Sequence, residues 1–202
     1  MVECPIAPPR YHRLSAAERQ ASAPAHSKEQ IMASTIASAD LDQSIAVEAV
    51  ISAPPPALHR GESDLPFVPY QEGVTFQLLQ VDVEAGFFVV RVRGEPGRTI
   101  QQHKHTGEIF AFTSAGSWKY LEYPEVNTAG SYLYEPAGSV HTLHFPETNS
   151  EITDVSFVLH GANLNLDNEG NVESVLDASA ALAVYYAGCR DAGLPHPNVI
   201  GA

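Results

Sequence analysis

Gly97-Arg98-Thr99-Ile100-Gln101-Gln102-His103-Lys104-His105 and Gly130-Ser131-Tyr132-Leu133-Tyr134-Glu135-Pro136-Ala137-Gly138-Ser139-Val140-His141 are the two stretches on which the reading of this chain turns. Each opens on a glycine and closes on histidine. In a strand, residues two apart point to the same side, so His103 and His105 face one space together. Pro136-Ala137-Gly138 is a tight turn by composition and feeds a new strand. On that strand His141 shares its side with Leu143 and Phe145, so the side is expected to face inward. Three inward imidazoles from two strands suggest a metal site, because imidazole nitrogen suits iron, zinc, copper or nickel.

A carboxylate is expected to join them. Between the two stretches lies Trp118-Lys119-Tyr120-Leu121-Glu122-Tyr123. Glu122 shares its side with Trp118 and Tyr120, two large aromatics that should point inward. An inward carboxylate without a partner is costly. Metal ligation, or a hydrogen bond to a ligand histidine or bound water, compensates. Glu108 competes for this role, but strict alternation from His105 puts it on the opposite side unless Gly107 sits in a bulge. The expected ligands are therefore His103, His105, His141 and Glu122, with Glu122, Tyr120 and Trp118 as candidate catalytic groups. His144 falls on the other side of its strand. His12, His26, His59, His160 and His196 receive no role.

Outward from this centre the texture is that of short strands. Val74–Val81, Phe87–Arg93, Thr99–His105, Ile109–Thr113, Ser117–Tyr123, Ser131–Tyr134, Val140–Phe145 and Ile152–Leu159 alternate with turn residues. No helix-period segment interrupts them, which predicts an all-β sandwich or barrel over residues 63–172. A hairpin-like turn follows at Asp167-Asn168-Glu169-Gly170. Val175, Leu176, Ala180, Leu182, Ala183 and Tyr186 recur at helical spacing, and Gly193-Leu194-Pro195 marks a stop. One C-terminal helix over about 177–191 is expected, packed on the barrel, within a segment 173–202. Residues 1–62 are rich in Ala, Ser and Pro, with Tyr11 as their one aromatic. They are expected to form a disordered or loosely attached extension.

Composition excludes several partners. The formal net charge is -13, from 24 acidic and 11 basic residues. That argues against nucleic acid and against anionic membranes. Two cysteines, Cys4 and Cys189, cannot make a disulfide framework and suit a reducing compartment. No apolar run is long enough to span a membrane, and prolines interrupt any signal-like stretch near the start. Cytoplasmic residence is the expectation.

The spacing Gly97-(five)-His103-x-His105 … Gly116, then Gly130-(five)-Pro136-x-Gly138-(two)-His141, resembles the two motifs of the cupin superfamily. The resemblance implies a jelly-roll barrel. Two departures exist. The first-motif Glu usually comes four or five residues after the second His, and Glu108 comes at three. Phe145 stands where the second motif often has Asn. The runs His103–Gly107, Gly116–Tyr123 and Ala129–Leu143 also look like 2,4'-dihydroxyacetophenone dioxygenases. This likeness extends over about Leu65 to Gly193. It implies a non-haem iron(II) enzyme that uses dioxygen to cleave the C–C bond between a carbonyl and a hydroxymethyl carbon. By that resemblance His103, His105 and His141 hold the iron, with Glu122 as a fourth ligand or a partner of the ligands. Zinc, manganese or nickel also suit such a set. The implied partners are a small-molecule substrate and O2, and a homodimer is expected because small jelly rolls leave sheet edges to cover. The alternatives are a non-catalytic zinc-binding sensor, similar to the cupin domains of anti-sigma factors, and another metal-dependent cupin enzyme such as an isomerase or secondary-metabolism oxygenase.

Overall fold

The computed structural model describes residues 55–202, so the extension expected over residues 1–62 lies outside the described residues as far as residue 54. In chain order the strands are β1 (Val68–Gln71), β2 (Val74–Asp82), β3 (Phe87–Gly94), β4 (Thr99–His105), β5 (Ile109–Ala115), β6 (Ser117–Tyr120), β7 (Val126–Thr128), β8 (Tyr132–Glu135), β9 (Val140–His144), β10 (Thr153–His160), β11 (Asn163–Leu166) and β12 (Val172–Leu176). They are followed by helix α1 (Ala178–Asp191). The strands form two six-stranded sheets. One has the order β1-β2-β3-β10-β5-β8, the other β12-β11-β4-β9-β6-β7. Neighbours pair antiparallel throughout. The fold is the jelly roll expected for a cupin.

Period-two patterning builds the core. On β3, Phe88, Val90 and Val92 are buried while Arg91 and Arg93 lie outside. Val155, Phe157 and Leu159 repeat the pattern on β10, where Phe157 pairs with Val90. The second sheet answers with Trp118, Tyr120, His141 and Leu143. Burial of such side chains contributes about 1.5–3 kcal/mol each.

Asp177 caps α1, its side chain accepting from the Ala180 N–H at 2.8 Å. The helix buries Ala178, Ala181, Tyr185 and Cys189. Tyr185 meets Phe76 edge-on at 5.5 Å and donates to the Pro66 carbonyl at 2.8 Å. No helix among the described residues is long and apolar enough to cross a membrane.

Two expectations change. Val175 and Leu176 are not helical: they end β12, which pairs with β11, so residues 173–176 belong to the barrel. The strand expected over 117–123 stops at Tyr120, and the chain turns at Leu121-Glu122.

Candidate metal centre

The site begins with an irregularity in β4. Ile100 pairs with Leu143 and His103 with His141, so β4 carries one more residue than β9 across this interval. This is a β-bulge. Simple alternation would set Ile100 and His103 on opposite sides, yet both line the same cavity. The bulge also turns the Gln101 carbonyl toward the ring of His103, whose Nδ1 lies 2.8 Å from it. A carbonyl oxygen only accepts, so Nδ1 is the protonated nitrogen. Nε2 of His103 is thereby the atom with the free lone pair.

His105 and His141 are fixed by the turn between β8 and β9. The Gly138 N–H donates to the His105 carbonyl at 2.8 Å, and the His105 N–H donates to the Ser139 carbonyl at 3.0 Å. Gly138 has φ of +90°, a conformation natural to glycine. His103, His105 and His141 are all buried, with one ligand atom from each within 4.8 Å of the others. These three histidines can hold a metal ion.

A carboxylate does face them, and it is Glu135. Its Oε2 lies 3.0 Å from His105 Nε2 and 3.0 Å from His141 Nε2, and those two nitrogens are themselves 3.0 Å apart. Three donor atoms about 2.1 Å from one ion, at right angles, stand about 3.0 Å apart. The triangle therefore fits a shared cation. Tyr120 donates its hydroxyl to Glu135 Oε1 at 2.5 Å and stacks on the His141 ring, centroids 3.6 Å apart and planes 14° from parallel.

The electrostatics follow from this enclosure. Burial pushes His103 down to about 4, the Gln101 carbonyl opposes, and His105 and His141 add to the fall. Burial would raise the Glu135 carboxyl, but hydrogen bonding and charge from His105 and His141 outweigh it and hold it at about 2. Tyr120 is pushed well above its ordinary value by burial and by the Glu135 carboxylate. At neutral pH the tyrosine keeps its proton, His103 is neutral and Glu135 is ionised.

His103, His105 and Tyr120 form one wall of a largely apolar cavity, and Phe76, Val90 and Phe157 belong to its other walls. The expected residues separate against this frame. Trp118 is buried but absent from the cavity wall. Its Nε1 donates to Thr113 Oγ1 at 2.9 Å, and its ring meets Tyr120 edge-on at 5.2 Å. It buttresses Tyr120 rather than meeting a ligand. Glu122 is exposed, and its carboxylate accepts from the Thr142 N–H and Oγ1 at 2.8 Å each. It follows the end of β6, where strand parity no longer applies, so the inward expectation fails. Glu108 is exposed as well. The missed residue, Glu135, had a signal: it shares its side of β8 with Leu133, away from Tyr132 and Tyr134. Two outward tyrosines hid that parity.

A family model described as the ChrR cupin-like domain matches residues 59–162. No curated protein matches the chain significantly. Among solved structures, it is similar to a protein of unknown function with a cupin-like fold from Ralstonia eutropha JMP134. Identity is 34%, covering 64% of this chain and 81% of that one, with a TM-score of 0.61. An RmlC-like cupin protein of the same organism is 24% identical over 73% of this chain and 96% of that one, TM-score 0.67. An acetylacetone dioxygenase from Acinetobacter johnsonii is 20% identical over 66% and 93%, TM-score 0.59. The last two likenesses are of fold.

Proposed function

Since this chain belongs to the ChrR cupin-like domain family, we propose that it is a non-haem iron(II)-dependent dioxygenase. Its reaction would cleave a C–C bond adjacent to a carbonyl, in an aryl hydroxyketone or diketone. The supporting observation is the trio of buried imidazoles, two of which form the wall of an apolar cavity. The acetylacetone dioxygenase among the fold relatives performs oxygen chemistry on a diketone by name. For a hydroxyketone, one molecule of O2 gives two carboxylic acids, one from each side of the broken bond.

The residues divide the work. His103, His105 and His141 would hold the ion, which supplies Lewis acidity toward the ketone and reactivity toward O2. The Gln101 carbonyl sets the His103 tautomer. Glu135, whose Oε2 faces the same Nε2 atoms of His105 and His141 that would ligate, would offset the positive charge and add an oxygen donor beside them. Tyr120 retains its proton and fixes the Glu135 carboxylate. The aromatic and aliphatic lining excludes water and accepts the carbon skeleton of the substrate.

Anaerobic loading with iron(II), followed by oxygen-uptake measurement with aryl hydroxyketones and β-diketones, tests the reading. Uptake with formation of carboxylate product is expected. No uptake and no product from any of them sinks it.

A second reading, a non-catalytic zinc-binding sensor, is favoured by the family match itself. Tight zinc in the protein as purified, with no oxygen uptake after iron loading, selects it. A homodimer and cytoplasmic residence also belong to the proposal. β8 is an edge strand whose outer side exposes Tyr132 and Tyr134, beside exposed Phe112 on β5. Sedimentation velocity showing only monomer at micromolar concentration overturns the dimer.

A further inference from the structure

The cavity wall carries one amide, Asn163, at the start of β11. It sits directly across the β4–β11 ladder from His105. The residue is half-buried, but its side-chain Oδ1 is fully buried and has no hydrogen-bond partner. An acceptor in that position costs about 1–3 kcal/mol unless something donates to it. Nothing in the sheet requires an amide there. Leu176, its partner on β12, also lines the cavity and is apolar. Among the described residues, no lysine or arginine lines it. The neighbouring Asn165 is different: its Nδ2 donates to Ser174 Oγ at 3.0 Å, so it is engaged within the protein. Asn163 is thus a residue of the cavity wall whose side-chain oxygen makes no hydrogen bond within the described protein.

We infer that Asn163 is a specificity-determining residue, its Oδ1 accepting a hydrogen bond from a hydroxyl of the ligand bound beside His105. This rests on the hydroxyketone-or-diketone reading and chooses between its two branches. A hydroxyketone carries an O–H donor. A β-diketone bound as its enolate has two oxygen acceptors and no donor, and it leaves Asn163 unsatisfied. A site built around an unpaired acceptor rejects the analogue that lacks the donor.

The test is calorimetric titration of zinc-loaded protein, so that no turnover is needed, with 2-hydroxyacetophenone and with 1-phenylbutane-1,3-dione. Intrinsic metal affinity differs between the two, so the informative quantity is the change on mutation. Asn163→Leu is expected to weaken 2-hydroxyacetophenone about tenfold, the effect of one lost buried hydrogen bond, and to leave the diketone unweakened or tighter, since no acceptor is then stranded beside it. Asn163→Ala, which adds no bulk, is expected to give the same pattern and serves if the leucine variant does not fold. Equal weakening of both ligands, or of neither, overturns the inference. The two proposals fail separately. Oxygen uptake by the iron-loaded protein with no ligand-selective effect of Asn163 sinks this inference alone. Ligand-selective binding without uptake sinks the dioxygenase reading and leaves the role of Asn163 standing.

Discussion

Glu122 and Glu135 carry the same chemical group into opposite circumstances. One is exposed and tied to Thr142; the other is buried against two imidazoles. Elemental analysis of purified variants separates them. His103→Ala and His141→Ala are expected to lose most bound metal. Glu135→Gln replaces the anionic oxygen of the donor triangle by a neutral amide and is expected to lower metal affinity by about 10–100-fold or more. Glu122→Ala should leave metal content unchanged. The pH dependence of the metal-free protein follows from the same side chains. The folded-state value of His103, about 4, lies below its ordinary 6.5. As pH falls from 6.5 to 4, the unfolded chain takes up a proton that the folded chain refuses. Stability present at pH 7 is therefore lost over that window, by at most about 3 kcal/mol. The carboxyl of Glu135, held at about 2 against an ordinary 4.5, extends the loss from pH 4.5 downward. Urea unfolding across pH 4–7 should show the slope, and His103→Asn should flatten its upper part. The three histidines were legible because His103 and His105 lie beyond the bulge of β4, where parity holds, and His141 stands on an alternating strand. Glu122 was misread because parity was carried past Tyr120, where the strand had already ended.

At the level of elements, the regular strands were readable and the irregular ones were not. β3 and β5 alternate cleanly, and so does β10 from Val155 onward, so their inward sides follow from sequence, whereas β2 shifts register between Leu78 and Gln80. β7 has three residues, too few for a period, and β11 alternates Asn163-Leu164-Asn165-Leu166 but buries Asn165, so its inward side cannot be read from hydrophobicity. Val175 and Leu176 fit a helical stripe as well as a strand, and only pairing with β11 decides between them. The bulge in β4 leaves no composition signal, because Gln101 and Gln102 are neither glycine nor proline. Yet it sets the tautomer of His103. The β8–β9 turn was legible through Gly138. A side chain added there meets nothing within 4 Å, so the penalty for Gly138→Ala is conformational. With φ of +90°, it should cost about 1–2 kcal/mol in denaturant unfolding. Because Gly138 also donates to His105, weaker zinc binding should accompany that loss in a competition titration.

Across the whole molecule, the outer face of the first sheet carries a charged clamp that composition alone would assign to solvent. Asp154 is 5% exposed and accepts from Arg91 at 2.6 and 2.8 Å and from Arg93 at 2.8 Å. Arg93 also reaches Glu62, which precedes the first strand. Asp154→Ala leaves two guanidiniums facing each other and should cost about 2–3 kcal/mol, less than a fully buried pair because both arginines remain partly exposed. Urea unfolding measures it. The overall architecture was legible from even strand spacing, whereas this clamp needed β3 and β10 to be neighbours far apart in sequence. The reciprocal backbone bonds between His105 and the Gly138-Ser139 turn have a thermodynamic corollary. They close the loop between the two histidine stretches with main chain alone, so the entropy of bringing the imidazoles together is spent during folding and not at metal capture. The ion is then a passenger in a finished scaffold rather than the staple that holds it shut. Exhaustive chelation should leave far-ultraviolet circular dichroism and a cooperative melt intact. Amide hydrogen exchange at Gly138 and His105 should remain slow in the stripped protein, where a metal-dependent fold would let both exchange freely.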